Sequence, residues 1–147
     1  MELFQWKDEY DIGLPKIDKQ HRKMVDMLNE LYAAKKTDAV HQVIEETLMG
    51  LVAYTKVHFA DEEELMSEAN YPQLLTQRRE HLDMTDEVLK MRNRFMQGDE
   101  PATFELLNFM NEWLKKHITG SDRKFGEFMR EQRARDKKEP EPDRPQV

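Results

Sequence analysis

From Ile44 to Leu65 the chain carries a helical core stripe that an imidazole and a carboxylate interrupt. The positions are Ile44, Leu48, Leu51, Thr55, His58, Glu62 and Leu65, in alternating steps of four and three. That spacing is the inner face of an α-helix packed in a bundle. His58 and Glu62 are four apart, so they stack one turn above each other on the face that should be buried. An unpaired carboxylate in a core costs several kcal/mol. It needs a compensating charge, and a metal ion is the direct candidate.

Three further segments repeat the pattern. A first helix spans about 17–35, with the stripe Ile17, Met24, Val25, Leu28, Leu31 and Tyr32, and His21 falls on it. Thr37 and Asp38 suit the N-cap of the second helix, which runs to about Ala69, an estimated ~45 Å. Pro72 suits the first position of a third helix. That helix carries Leu74, Gln77, His81, Met84, Val88, Met91 and Phe95 inward and ends at Gly98. Pro101 opens a fourth, with the stripe Phe104, Leu107, Met110, Leu114 and His117, and Trp113 and Ile118 beside it. Asp122 follows His117 by five, an offset that points about 140° away in an unbroken helix. A break at Gly120 would return it to the core. Residues 1–16 read as an irregular arm, and Phe125, Phe128 and Met129 as a segment packed on the bundle end. Residues 132–147, charged and carrying Pro140, Pro142 and Pro145, read as a disordered tail. The expected fold is all-α: an up-down-up-down four-helix bundle over 1–131, with an N-terminal arm and a disordered C-terminal tail.

Composition excludes several function classes. The formal charge of −7 argues against nucleic acid or an anionic membrane as a partner. No apolar run approaches the ~18 residues of a membrane span, and the N-terminus is too polar for a signal peptide. These features suit a cytoplasmic protein. With no cysteine there is no thiolate ligand and no cysteine nucleophile. The ten methionines sit mostly on core stripes, as adaptable filler.

In an up-down-up-down bundle the start of helix one, the end of two, the start of three and the end of four share one end. His21, His58, Glu62, Gln77, His81, His117 and Asp122 all map there, facing inward. His41 maps to the opposite end, roughly 25 Å from His58 by helical rise, and is excluded. One histidine on a core stripe is ordinarily a hydrogen-bonded core residue, and a lone HxxxE is ordinarily a surface pair. Four histidines and two carboxylates at one depth point to metal. Asp61, Glu63 and Glu64 read as a solvated face. Nitrogen and oxygen donors without sulfur suit iron, manganese or zinc. Six donors exceed a tetrahedral zinc site and suit two cations bridged by carboxylates.

The chain at this point resembles the hemerythrin family, in its single-domain bacterial form. The resemblance rests on Trp6, Ile12-Gly13, Ile17 to His21, His58 to Glu63, Tyr71-Pro72, His81, and Trp113 to Ile118 followed by Asp122. It implies a cofactor of two iron ions (Fe2+/Fe3+) with a bridging oxo or hydroxo group, and dioxygen as ligand. His21 and His58 would hold the iron with an open position, Glu62 and Asp122 would bridge, and His81 and His117 would hold the other iron. Dioxygen would take one electron from each ferrous ion. Met24, Phe59, Trp113, Leu114 and Ile118 would form the apolar dioxygen pocket; plain core packing is the other reading of these five.

One departure stands out: the family pattern has a histidine one turn before His81, where this chain has Gln77. An amide oxygen is a weaker donor than imidazole. Gln77 would bind poorly, hold a water ligand, or stand aside. The ligands of the open iron are intact, so the resemblance still implies a dioxygen-binding protein for storage, delivery or sensing rather than an enzyme. An additional exchangeable position at Gln77 would favour peroxide or nitric oxide chemistry over simple carriage. The alternatives are a di-iron enzyme acting on peroxide or nitric oxide, and an iron-binding or iron-sensing protein without reversible carriage.

Overall fold

The computed structural model describes residues 2–99 and 101–138. Its elements are a 3-10 turn at Asp8–Tyr10, α1 (Pro15–Lys36), α2 (His41–Glu68), α3 (Leu74–Met96), α4 (Ala102–His117), a π-helical turn at Ile118–Asp122, and α5 (Arg123–Lys138). The described residues contain no strand. α1 packs on α2, α2 on α3, α3 on α4, and α4 on α1, which closes the bundle as expected. No helix among the described residues is long and apolar enough to cross a membrane.

Three helices end with the same device. A residue in the left-handed region follows the C-cap: Asp38 (φ 53°), Asn70 (φ 54°) and Gly98 (φ 96°). The next N–H then reaches back to a carbonyl in the last turn: Ala39 to Ala34 at 3.0 Å, Tyr71 to Met66 at 2.9 Å, and Asp99 to Arg94 at 3.0 Å. Orphan carbonyls are thereby satisfied and the chain is turned sharply. This corrects the reading of Thr37 and Asp38 as N-caps: Thr37 is the C-cap of α1, and α2 starts only at His41, behind Val40. Pro72 likewise lies in the turn before α3.

Two stripe positions also differ. Met66, not Leu65, continues the buried face of α2 after Glu62. Phe104 is 44% exposed, with the Lys35 ammonium 5.6 Å from its ring centre. At 100° per residue it sits about 100° from the centre of a face formed by Thr103, Leu107, Met110, Leu114 and His117.

The arm is fastened to α1 by hydrogen bonds. Asn29 accepts from the Phe4 N–H and donates to its carbonyl, both at 2.9 Å. Asp18 accepts from the Ile12 and Gly13 N–H groups. α5 lies over the mouth of the bundle, where Phe125 and Phe128 pack on the Tyr71 ring at 5.0 Å. Gly126 lets α5 approach the arm, since a Cβ there would stand 2.3 Å from the Ile12 carbonyl oxygen. α5 continues to Lys138, and the remainder of the expected tail lies outside the described residues.

Candidate metal centre

Each inner polar residue arrives on a helix the sequence patterned for burial. His21 comes from the first turns of α1, His58 and Glu62 from the last turns of α2, His81 from α3, and His117 from the end of α4. Asp122 arrives by a different route from the one expected. The chain does not break at Gly120; it widens into a π turn, in which the Arg123 N–H bonds to the Ile118 carbonyl five residues back. A π turn brings residues five apart into register. Asp122 therefore returns to the side of the axis that carries His117, and its Oδ1 lies 3.0 Å from His117 Nε2.

The six side chains form two overlapping clusters. One is His21, His58, Glu62 and Asp122; the other is Glu62, His81, His117 and Asp122. Within each, one donor atom per residue lies within 4.8 Å of all the others. The carboxylates are common to both, and each divides its oxygens between them. Glu62 Oε2 faces His58 Nε2 at 3.2 Å and His21 Nε2 at 3.7 Å. Its Oε1 faces His81 Nε2 at 3.3 Å and His117 Nε2 at 3.6 Å. Asp122 Oδ2 faces His21 Nε2 at 3.0 Å, and its Oδ1 faces His117.

These groups fit a metal site better than a hydrogen-bonded core. Glu62 and Asp122 are 0% exposed, and all four of their oxygens lack an aligned hydrogen-bond donor, as do both nitrogens of His21. Buried polar atoms are seldom left so. The atoms crowd together at near hydrogen-bond distance yet several make no hydrogen bond, as expected of ligands gathered around a cation. The donor chemistry, imidazole nitrogen and carboxylate oxygen, suits iron.

The family model described as Hemerythrin HHE cation binding domain matches residues 13–129. The chain belongs to the hemerythrin family. It is 39% identical to a bacteriohemerythrin of Stenotrophomonas maltophilia over 86% of this chain and 82% of the relative. It is 30% identical to a bacteriohemerythrin of Clostridium acetobutylicum over 84% of this chain and 98% of the relative. A myohemerythrin of Theromyzon tessulatum is 27% identical over 84% of this chain and 92% of the relative.

In this hemerythrin-family bundle the outer nitrogens of three imidazoles are also engaged. His58 Nδ1 meets Gln20 Oε1 at 2.8 Å, and the Gln20 amide donates to Asp61 at 2.7 Å. His81 Nδ1 meets Glu63 Oε2 at 3.0 Å, and Glu63 is itself held by Arg78 at 3.0 Å. His117 Nδ1 meets Glu80 Oε2 at 3.0 Å, and Ser121 donates to the same oxygen at 2.8 Å. An acceptor on Nδ1 keeps the proton there and leaves Nε2 free to bind a metal. Gln20, Glu63, Glu80 and Ser121 were not candidates from the sequence, and Asp61 and Glu63 are corrected from solvated face to supports of the centre. Glu64 is exposed, as expected. His41 lies at the far end, its ring stacked on Phe95 at 4.3 Å.

Electrostatics tell the same story for the metal-free chain. Burial works against a charge on His21, but its contacts with Asp122 and Glu62 outweigh it and push the pKa up to about 9. His117 is likewise opposed by burial and raised well above the ordinary range by Asp122, Glu62 and Glu80. Burial would raise the Glu62 carboxyl, yet His117, His21, His58 and His81 hold it well below its usual value. Without metal, protons on His21 and His117 supply positive charge opposite the two carboxylates.

Of the five residues assigned to an apolar pocket, Phe59 and Trp113 lie against imidazoles of the cluster, and the other three are buried core residues. Met24 and Ile118 are 0% exposed, and Leu114 and Phe59 are also buried. Phe59 stacks on the His81 ring at 3.9 Å, and Trp113, partly buried, stacks on His117 at 4.2 Å. Gln77 is 2% exposed on the same face of α3 as His81, and neither its amide oxygen nor its amide nitrogen has a hydrogen-bond partner.

Proposed function

We propose that this chain is a non-haem di-iron protein that binds dioxygen reversibly, for storage, delivery or sensing. The observation that carries the proposal is the division of Glu62 and Asp122: each presents one oxygen to the His21–His58 side and the other to the His81–His117 side. Two carboxylates so placed would bridge a pair of metal ions. His21 and His58 would hold one iron with an open position, and His81 and His117 would hold the other. Two ferrous ions supply the pair of electrons that dioxygen takes up when it binds.

The chain's own residues do the rest. Gln20, Glu63 and Glu80 fix the tautomer and rotation of His58, His81 and His117, so their Nε2 atoms stay aimed inward. Met24, Leu114 and Ile118 close the centre with apolar surface, and Phe59 and Trp113 cover the imidazoles. Such walls exclude water and charged reductants, which favours release of dioxygen over oxidation of the site.

Metal analysis with optical spectra under air and under argon tests this. Two irons per chain are expected, with a ligand-to-metal charge-transfer band that appears on oxygenation and disappears on deoxygenation. One iron per chain, or two with no reversible band, overturns it. The unpartnered amide of Gln77 favours a second reading, turnover of peroxide or nitric oxide. It predicts multiple turnovers with an electron donor and their suppression in Gln77→His.

A further inference from the structure

We propose that Gln77 leaves an exchangeable position on the metal held by His81 and His117, and that a small anion reaches it through a cleft at the mouth of the bundle. The inference rests on the di-iron reading above. It concerns a second ligand site, separate from the open position on the His21–His58 side.

Three observations meet at this place. The first is the state of Gln77, buried to 2% exposure with both amide atoms lacking hydrogen-bond partners. A buried amide left so is unfavourable, and a bound acceptor would relieve it. The second is donor supply. α3 offers one imidazole to the cluster, His81, and the residue one turn earlier offers only a weak amide oxygen. The metal on that side therefore has fewer strong protein donors than an octahedral ion takes. The third is access. A cleft of about 330 Å3 is lined by Tyr71, Gln77, Glu80, Ser121 and Lys124, among others.

The charges in that cleft select the ligand. The Glu80 carboxylate is already committed: His117 holds it at 3.0 Å and Ser121 at 2.8 Å. Lys124 is exposed and contributes an ammonium to the wall. An anion entering past Lys124 would bind the metal with one atom and accept from the Gln77 amide NH2 with another. Histidine at position 77 would fill the metal's position instead and offer no donor to a ligand.

Azide titration of the iron-loaded, oxidised full chain, followed by calorimetry and by its charge-transfer band, reads this directly. Two azides per di-iron centre are expected. Gln77→His should bind one. Gln77→Leu, which leaves the position open but removes the amide, should still bind two, with the second roughly fivefold weaker for one lost hydrogen bond. Lys124→Ala should weaken the same second event a few-fold and leave the first unchanged. The same azide count in the starting protein and in Gln77→His, at two irons per chain in both, overturns the inference alone. Fewer than two irons per chain in the starting protein overturns the di-iron reading and the inference with it.

Discussion

Stripping the metals with a chelator should make the stability of this bundle depend on pH in a way the loaded protein does not. The His21 pKa rises from 6.5 to about 9 in the folded, metal-free chain, because Asp122 and Glu62 together overcome the opposing effect of burial. A raised folded-state pKa contributes stability that is complete below 6.5 and is lost as pH climbs through about 9. The difference is worth about 3 kcal/mol for a group this buried. His117 acts in the same direction. At a few degrees per kcal/mol for a domain of this size, the metal-free melting temperature should fall by about 10 °C between pH 6.5 and 9.

The loaded protein has no such protons to lose. Its imidazoles are neutral ligands, and the cations replace the protons that neutralise Glu62 and Asp122. Metal at a thousandfold excess over its dissociation constant adds about 4 kcal/mol per site. Paired thermal melts, with and without chelator, should therefore diverge as pH rises, the loaded curve staying nearly flat. Parallel curves would refute the argument, since they would mean that metal and imidazole protons do not compete for the same carboxylates.

Glu62→Gln keeps the side-chain volume and removes a charge shared by both clusters, so iron content should fall from two per chain to one or none; elemental analysis showing two would remove the bridging role. Glu63→Gln weakens the acceptor on His81 Nδ1 and should lower affinity for the second metal about 10–100-fold, read by competition with a chelator. Two glycine substitutions should act in opposite directions. Gly50→Ala meets only Met27 Cε, at 3.6 Å, and should stabilise the chain by up to ~1 kcal/mol through helix propensity. Gly126→Ala drives a Cβ to 2.3 Å from the Ile12 carbonyl and should destabilise by ~1–3 kcal/mol in urea unfolding; a stability unchanged or raised in Gly126→Ala would refute the packing described for α5.

The bundle and the gathering of its polar residues at one end were legible because both follow from a period. A stripe in steps of three and four states which residues face inward, and short connections state which helix ends are neighbours. The path of Asp122 was not legible, because one extra residue in a turn leaves no mark on the hydrophobic pattern. Gly120 suggested a break, yet nothing lies within 4 Å of where its Cβ would be, so sterics do not demand a glycine there.

The outer acceptors were hidden for another reason. Each is the chain neighbour of an inner donor: Gln20 of His21, Glu63 of Glu62, Glu80 of His81. On its own helix such a residue points about 100° away and looks solvated. In the bundle that direction meets the next helix. Gln20 on α1 supports His58 on α2, Glu63 on α2 supports His81 on α3, and Glu80 on α3 supports His117 on α4. The supports thus run around the bundle in chain order, one helix ahead of each donor. The series stops at His21, whose Nδ1 has no partner. The imidazole without a tether belongs to the side assigned the open position, and contacts with Asp122 and the His58 ring hold it instead. The sequence of one helix therefore specifies the ligand held on it and, one residue away, the orientation of a ligand held on the next.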